Sequence, residues 1–164
     1  MNIFVLDEDT KLCATYHVDK HCVKMILETT QLLNNVLIQH DNSYQPVYRQ
    51  THKNHPASLW AAENISNFNW LLSLGLDLCS EYTFRYHKRH KCQNILELFG
   101  SCPSRYKIPS GSLTTFKMCM PEAYQTNDPI KSYRIYYRQD KAYIAKWTNR
   151  SQPNWWNDPQ YQTS

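Results

Sequence analysis

The sequence predicts an all-α fold, a helical bundle in a single domain over residues 1–164, from three observations. No proline or glycine interrupts residues 11–39, and apolar side chains recur there at helical spacing. Pro56 and Pro129 stand where helices begin, the second just after a capping Asp128. The length of 164 residues suits one domain able to bury a core without staples.

The elements follow in chain order. Residues 3–6 read as a short extended segment, and Asp9 or Thr10 can cap what comes next. In the helix predicted over residues 11–39, Cys22, Val23, Ile26, Thr30, Leu33 and Leu37 share one face. Met25, Leu27, Leu32 and Val36 widen it past half the circumference, so this helix should be largely buried. Residues 41–53 are polar, contain Pro46 and read as a loop. A second helix is predicted over residues 57–91, with a break near Glu81. Trp60, Phe68, Leu71, Leu72 and Leu78 line its apolar side, together with Asn64 and Asn67. Two prolines and two glycines make residues 100–111 irregular, and residues 113–124 fit no single pattern. A third helix runs from Pro129 to about Trp147. The tail, residues 150–164, is irregular and aromatic, and Trp155 and Trp156 should dock it on the body.

Composition narrows the class. No run approaches the ~20 apolar residues of a membrane span, so no membrane partner is expected. The N-terminus lacks the basic lead of a secretory signal. The six cysteines are scattered and form no C-x-x-C pair, which argues for free thiols in a reducing cytoplasm and against a zinc ribbon. The formal charge of +4 is mild, but its distribution is uneven. Residues 85–91 carry Arg85, Lys88, Arg89 and Lys91 with no acid. Residues 131–150, including Arg134 and Arg138, are basic apart from Asp140. Both stretches are rich in tyrosine, a mixture suited to a phosphate backbone and unstacked bases. DNA or a nucleotide is the expected partner.

The chemistry concentrates in a polar stripe over residues 17–31. His17, Lys20, His21, Lys24, Glu28 and Gln31 fall within about 100° on the helical projection, opposite the apolar face. Such a stripe is either a solvated edge stitched by a Lys24–Glu28 pair or the lining of a cleft. Two histidines and two lysines around one carboxylate would attract an anion and place Glu28 for proton transfer. The segment Thr51-His52-Lys53-Asn54-His55-Pro56 adds two histidines before a helix start, where free N–H groups favour anions. Asn64 and Asn67, on an apolar face near Trp60, need partners: they either hold this histidine loop or read a base edge. Four histidines could bind zinc, but Lys20 and Lys24 would repel a cation, and no metal or other cofactor is expected. There is no G-x-S-x-G, Walker loop or dinucleotide fingerprint.

Several segments carry a resemblance. Met1-Asn2-Ile3-Phe4-Val5-Leu6-Asp7, Asp19-Lys20-His21-x-Val23-Lys24-Met25-x-x-Glu28-x-x-Gln31, Thr51-His52-x-Asn54-His55-Pro56-x-x-x-Trp60 and the basic run from Glu81 to Lys91 resemble small phage-encoded proteins of undefined function. The overall plan is similar to the pyrimidine-dimer DNA glycosylase family of the phage endonuclease V type. That resemblance implies a catalytic glutamate at Glu28, a His-Pro segment at His55-Pro56 and an aromatic end at Trp155 and Trp156. It also implies an α-amino nucleophile exposed by methionine removal. Here the sequence departs from the family, because Asn2 is large for that removal and Met1 is expected to stay.

Imine chemistry needs a neutral amine. An α-amino group titrates near 7.7–8.0, so about a tenth is neutral at pH 7, whereas a lysine needs a downward shift of about 3 units to match it. Met1, Lys20 or Lys24 could therefore attack a deoxyribose C1′, with Glu28 moving protons and His21 a further catalytic candidate. His17, Gln31, His52, Asn54, His55, Trp60, Asn64, Asn67, Arg85, Lys88, Lys91, Arg134 and Arg138 would bind the substrate. Two other classes compete with this glycosylase/lyase reading: an enzyme acting on a nucleotide or modified pyrimidine, and a non-enzymatic nucleic-acid-binding or host-interaction protein.

Overall fold

The computed structural model describes residues 1–163, and among them there are six α-helices and no strand. They are α1 (Thr10–Tyr16), α2 (Asp19–His40), α3 (Pro56–Ala62), α4 (Ile65–Tyr86), α5 (Gln93–Ser101) and α6 (Pro129–Asp140), joined by coil and short 3-10 turns. The all-α expectation holds. No helix is long and apolar enough to cross a membrane.

The long helix expected from residue 11 is two helices, parted at His17 and Val18, both of which are extended. Neither proline nor glycine breaks it; tertiary partners do. The Val18 N–H donates to the Tyr137 hydroxyl (3.1 Å) and the Asp19 N–H to the Lys146 carbonyl (2.8 Å). Arg85 takes the carbonyls of Thr15 and His17, so the polar groups at the gap are satisfied without a continuous helix. The second long helix also breaks earlier than expected, at Glu63 and Asn64. Asn64 caps α4 by accepting from the Asn67 N–H. Helix α4 stops at Tyr86, where His87 turns left-handed (φ 55°), short of Lys91. Helix α5 falls on a stretch with no expected element, and α6 ends at Asp140 rather than Trp147.

Helices α2 and α4 form the centre, with α1, α3 and α5 packed around them. Gly75 lets the two approach: a Cβ there would lie 2.9 Å from the Thr29 Cγ2. The apolar face of α2 is narrower than its sequence suggests. Ile26, Leu33 and Leu37 are buried, but Val23 and Leu27 are exposed at 41% and 39%. Residues 3–6 are buried beside α2 and α6, with Phe4 stacked on His21 (4.4 Å between centroids) and tilted against Tyr137. Trp155 and Trp156 are buried against the body, Trp155 edge-on to Tyr16 and Trp156 edge-on to Trp147.

Candidate active site

Two buried asparagines position the loop that carries the histidines. Asn34 and Asn35 sit on the inner side of α2, where an unpaired amide would be costly. The Asn34 Oδ1 accepts from the Tyr44 hydroxyl (3.0 Å) and the Val47 N–H (3.1 Å), while its Nδ2 donates to the Tyr48 carbonyl (2.9 Å). The Asn35 Nδ2 donates to the Thr51 carbonyl (2.5 Å). The chain then turns tightly at His52, whose φ of 52° is left-handed, and the His55 N–H returns to the His52 carbonyl. His55 caps α3 through its Nδ1, which accepts from the Ala57 N–H (3.1 Å), and Pro56 opens the helix. With Nδ1 accepting, the neutral ring carries its proton on Nε2.

This places the loop beside the N-terminus. The Met1 α-amino group lies 3.4 Å from Glu28 Oε1, and the Lys24 ammonium lies 3.8 Å from Glu28 Oε2. Glu28 is 13% exposed, whereas Lys24 is 72% exposed. Partial burial lowers the His55 pKa, and the neighbouring Met1 amine and His52 push in the same direction. Met1, Glu28, Lys24, His55 and His52 thus form one cluster, open to solvent on its lysine side.

The rest of the expected stripe lies elsewhere. His17 is no longer on the same helix: it is 1% exposed, with its Nδ1 2.7 Å from the Cys13 carbonyl, and burial lowers its pKa to about 4. His21 is buried under Phe4, 2.7 Å from the Tyr137 hydroxyl, and burial, helped by His17, lowers its pKa to about 3. A buried ring held neutral at pH 7 is a packing group, so His21 is corrected from catalytic candidate to core residue. Lys20 is exposed one turn before Lys24. Gln31 is half-buried one turn beyond Glu28, and Asn54 is exposed at the loop tip.

Several expected substrate ligands are structural. Trp60 is 1% exposed and packs edge-on to Trp70. Asn64 and Asn67 hold residues 112–114 rather than the histidine loop: Asn64 donates to the Ser112 carbonyl, and Asn67 exchanges bonds with Thr114. Arg85, 2% exposed, is consumed by Glu81, Asp19 and two carbonyls. Arg134 is bonded to the Leu6 carbonyl, Asp7 and the Tyr161 hydroxyl, and its guanidinium lies over the Trp155 ring. Arg138 is half-buried over Trp156. A guanidinium spent on internal acceptors has few donors left for phosphate, so Arg85 and Arg134 do not fit the substrate-binding role expected of them. Lys88 and Lys91 are exposed on the turn after α4, whose His90 ring lies against the Val23 backbone on α2. Among the described residues, no group of three or more His, Cys, Asp and Glu is placed to hold a metal.

The sequence reading missed Asn34 and Asn35. Two adjacent amides on the apolar face of a helix were the available signal. It also missed the anchor at Asn2 and Tyr133, which is described below.

The family model for pyrimidine dimer DNA glycosylase matches residues 1–94, more than half of the chain, and the chain belongs to that family. No curated protein and no solved structure matches it significantly. The matched part carries Met1, Glu28 and His55, whereas Cys119 and Tyr133, which bond Asn2, lie beyond it.

Proposed function

We propose that the protein is a DNA glycosylase with lyase activity, whose nucleophile is the Met1 α-amine and whose proton-transfer group is Glu28. The observation that carries this is the 3.4 Å approach of the amine to Glu28 Oε1. Lys24, the competing amine, is 72% exposed. That exposure leaves Lys24 open to a backbone phosphate.

The steps balance as follows. Glu28 accepts a proton from the terminal ammonium, leaving a neutral amine. The amine nitrogen bonds to C1′ as the C1′–base bond breaks, and the base leaves with the bonding pair and takes the proton that the attached nitrogen sheds. The C1′–O4′ bond then opens, Glu28 returns a proton to O4′, and a protonated imine joins Met1 to the sugar. Loss of a C2′ proton expels the 3′ phosphate. Water then hydrolyses the imine and frees the amine. His55, with its Nε2–H free of the capping bond, is placed to donate to the sugar or its phosphate. Lys20, Lys24, Lys88 and Lys91 supply the electrostatic hold, and an extruded nucleotide gives C1′ access to the amine.

Borohydride reduction during reaction with a duplex containing one abasic site should yield a covalent adduct that peptide mapping assigns to Met1. A terminal acetyl group should abolish it. Glu28→Gln should cut turnover by about 10²–10⁴-fold while duplex binding persists. An adduct on a lysine, or none despite normal binding, refutes the mechanism.

A further inference from the structure

The approach of Met1 to Glu28 requires the N-terminus to stay in place, although chain ends ordinarily fray. Asn2 is the residue that ties it down. Its Nδ2 donates to the Cys119 carbonyl (2.9 Å), and its Oδ1 accepts from the Ile3 N–H (2.8 Å). The same Oδ1 lies 3.2 Å from the Tyr133 hydroxyl. That hydroxyl is buried on a residue 1% exposed, and burial raises its pKa well above the ordinary phenol value, so it remains a donor. Its single proton is shared between the Lys117 carbonyl (2.7 Å) and Asn2, and its oxygen accepts from the Cys119 N–H (3.1 Å). The second residue is therefore fastened to residues 117–119 and to α6, and only Met1 extends beyond the anchor.

We infer that Asn2 is a positioning residue: with Tyr133 and Cys119 it clamps the chain so that a retained Met1, not residue 2, presents its amine to Glu28. This rests on the reading that the Met1 amine is the nucleophile. Removing Met1 would move the amine by one residue, about 3.8 Å along the chain. It would then sit on a residue whose side chain already points to Cys119 and Tyr133. An apolar residue could have packed the terminus equally well. An amide must be matched bond for bond when taken from water, and here each bond fixes the direction in which the chain leaves for Met1. Two of the clamp's three members, Cys119 and Tyr133, lie outside the residues that the family model matches.

The test uses the full-length chain, Asn2→Leu, Asn2→Asp and Tyr133→Phe. Leucine keeps a large second residue and deletes all three bonds. Aspartate keeps the acceptor and deletes the donor. Intact mass should show Met1 present in all four proteins. In single-turnover borohydride trapping on an abasic duplex, Asn2→Leu should react about 10–100-fold more slowly, with duplex affinity within about twofold. Asn2→Asp and Tyr133→Phe should fall between it and the wild type. A purely structural role would instead lower affinity and rate together, or leave both unchanged, and either result overturns the clamp. So does a wild-type chain found to lack Met1. If Asn2→Leu does not fold, the other two variants decide by the same split between rate and affinity. Failure of the wild type to trap at Met1 refutes the amine mechanism instead, so the two failures are distinguishable.

Discussion

Acidification from pH 7 to pH 5 should remove about 4 kcal/mol of stability through two buried rings. His17 and His21 are held neutral by burial, with pKa values near 4 and 3 in the folded chain against 6.5 when exposed. Between pH 6.5 and about 4, the unfolded chain binds protons that the folded chain refuses, so stability falls as the pH falls. Each pH unit is worth about 1.4 kcal/mol per ring, so the 1.5 units from 6.5 to 5 cost about 2 kcal/mol for each. His55 and His90, also lowered by burial, add in the same direction. Asp19 and Glu81, which are hydrogen-bonded to their partners, have lowered values. Their stabilisation is present above the ordinary carboxylate range and is lost only below it, so it does not obscure this window. The assay is urea unfolding at pH 7.5, 6.5, 5.5 and 5.0, read as the free energy of unfolding. In His21→Phe, which keeps a ring against Phe4, the dependence on pH should fall by about half. A wild-type free energy that stays constant from pH 7 to pH 5 would refute the account of these rings as buried and neutral.

Other outcomes follow from the same structure. Arg85→Ala should cost about 3–5 kcal/mol, because it strips partners from Glu81, Asp19 and the carbonyls of Thr15 and His17; thermal unfolding measures this. Asn34→Ala should release residues 44–48, destabilise the fold by about 1–3 kcal/mol, and slow abasic-site trapping more than it weakens binding. Lys88→Ser with Lys91→Ser should reduce the slope of log affinity for duplex DNA against log salt by about 2 if each contacts one phosphate, whereas Arg134→Lys should leave that slope unchanged.

Much of the candidate site was legible in sequence, but not its membership. Helical periodicity placed Glu28 and Lys24 on one face, and Pro56 marked the helix that His55 caps, because spacing and capping are local properties. Periodicity could not say that His17 leaves the helix. That break depends on a hydroxyl 119 residues away. Nor could charge clustering separate Arg85 and Arg134, which are spent on internal acceptors, from Lys88 and Lys91, which are left in solvent.

The sequence by itself determined the helical class, the location of the one carboxylate in the polar stripe and the histidine loop before α3. These follow from backbone geometry acting over a few residues. Only the tertiary structure brought the Met1 amine to Glu28, beside the Lys24 that helical spacing already placed there. Asn2 reaches Cys119 and Tyr133, contacts 117 and 131 residues distant in the chain, and Asn34 and Asn35 hold the loop that leads to His55. Bonds of that range arise only once the core has closed, which is why no local pattern announces them.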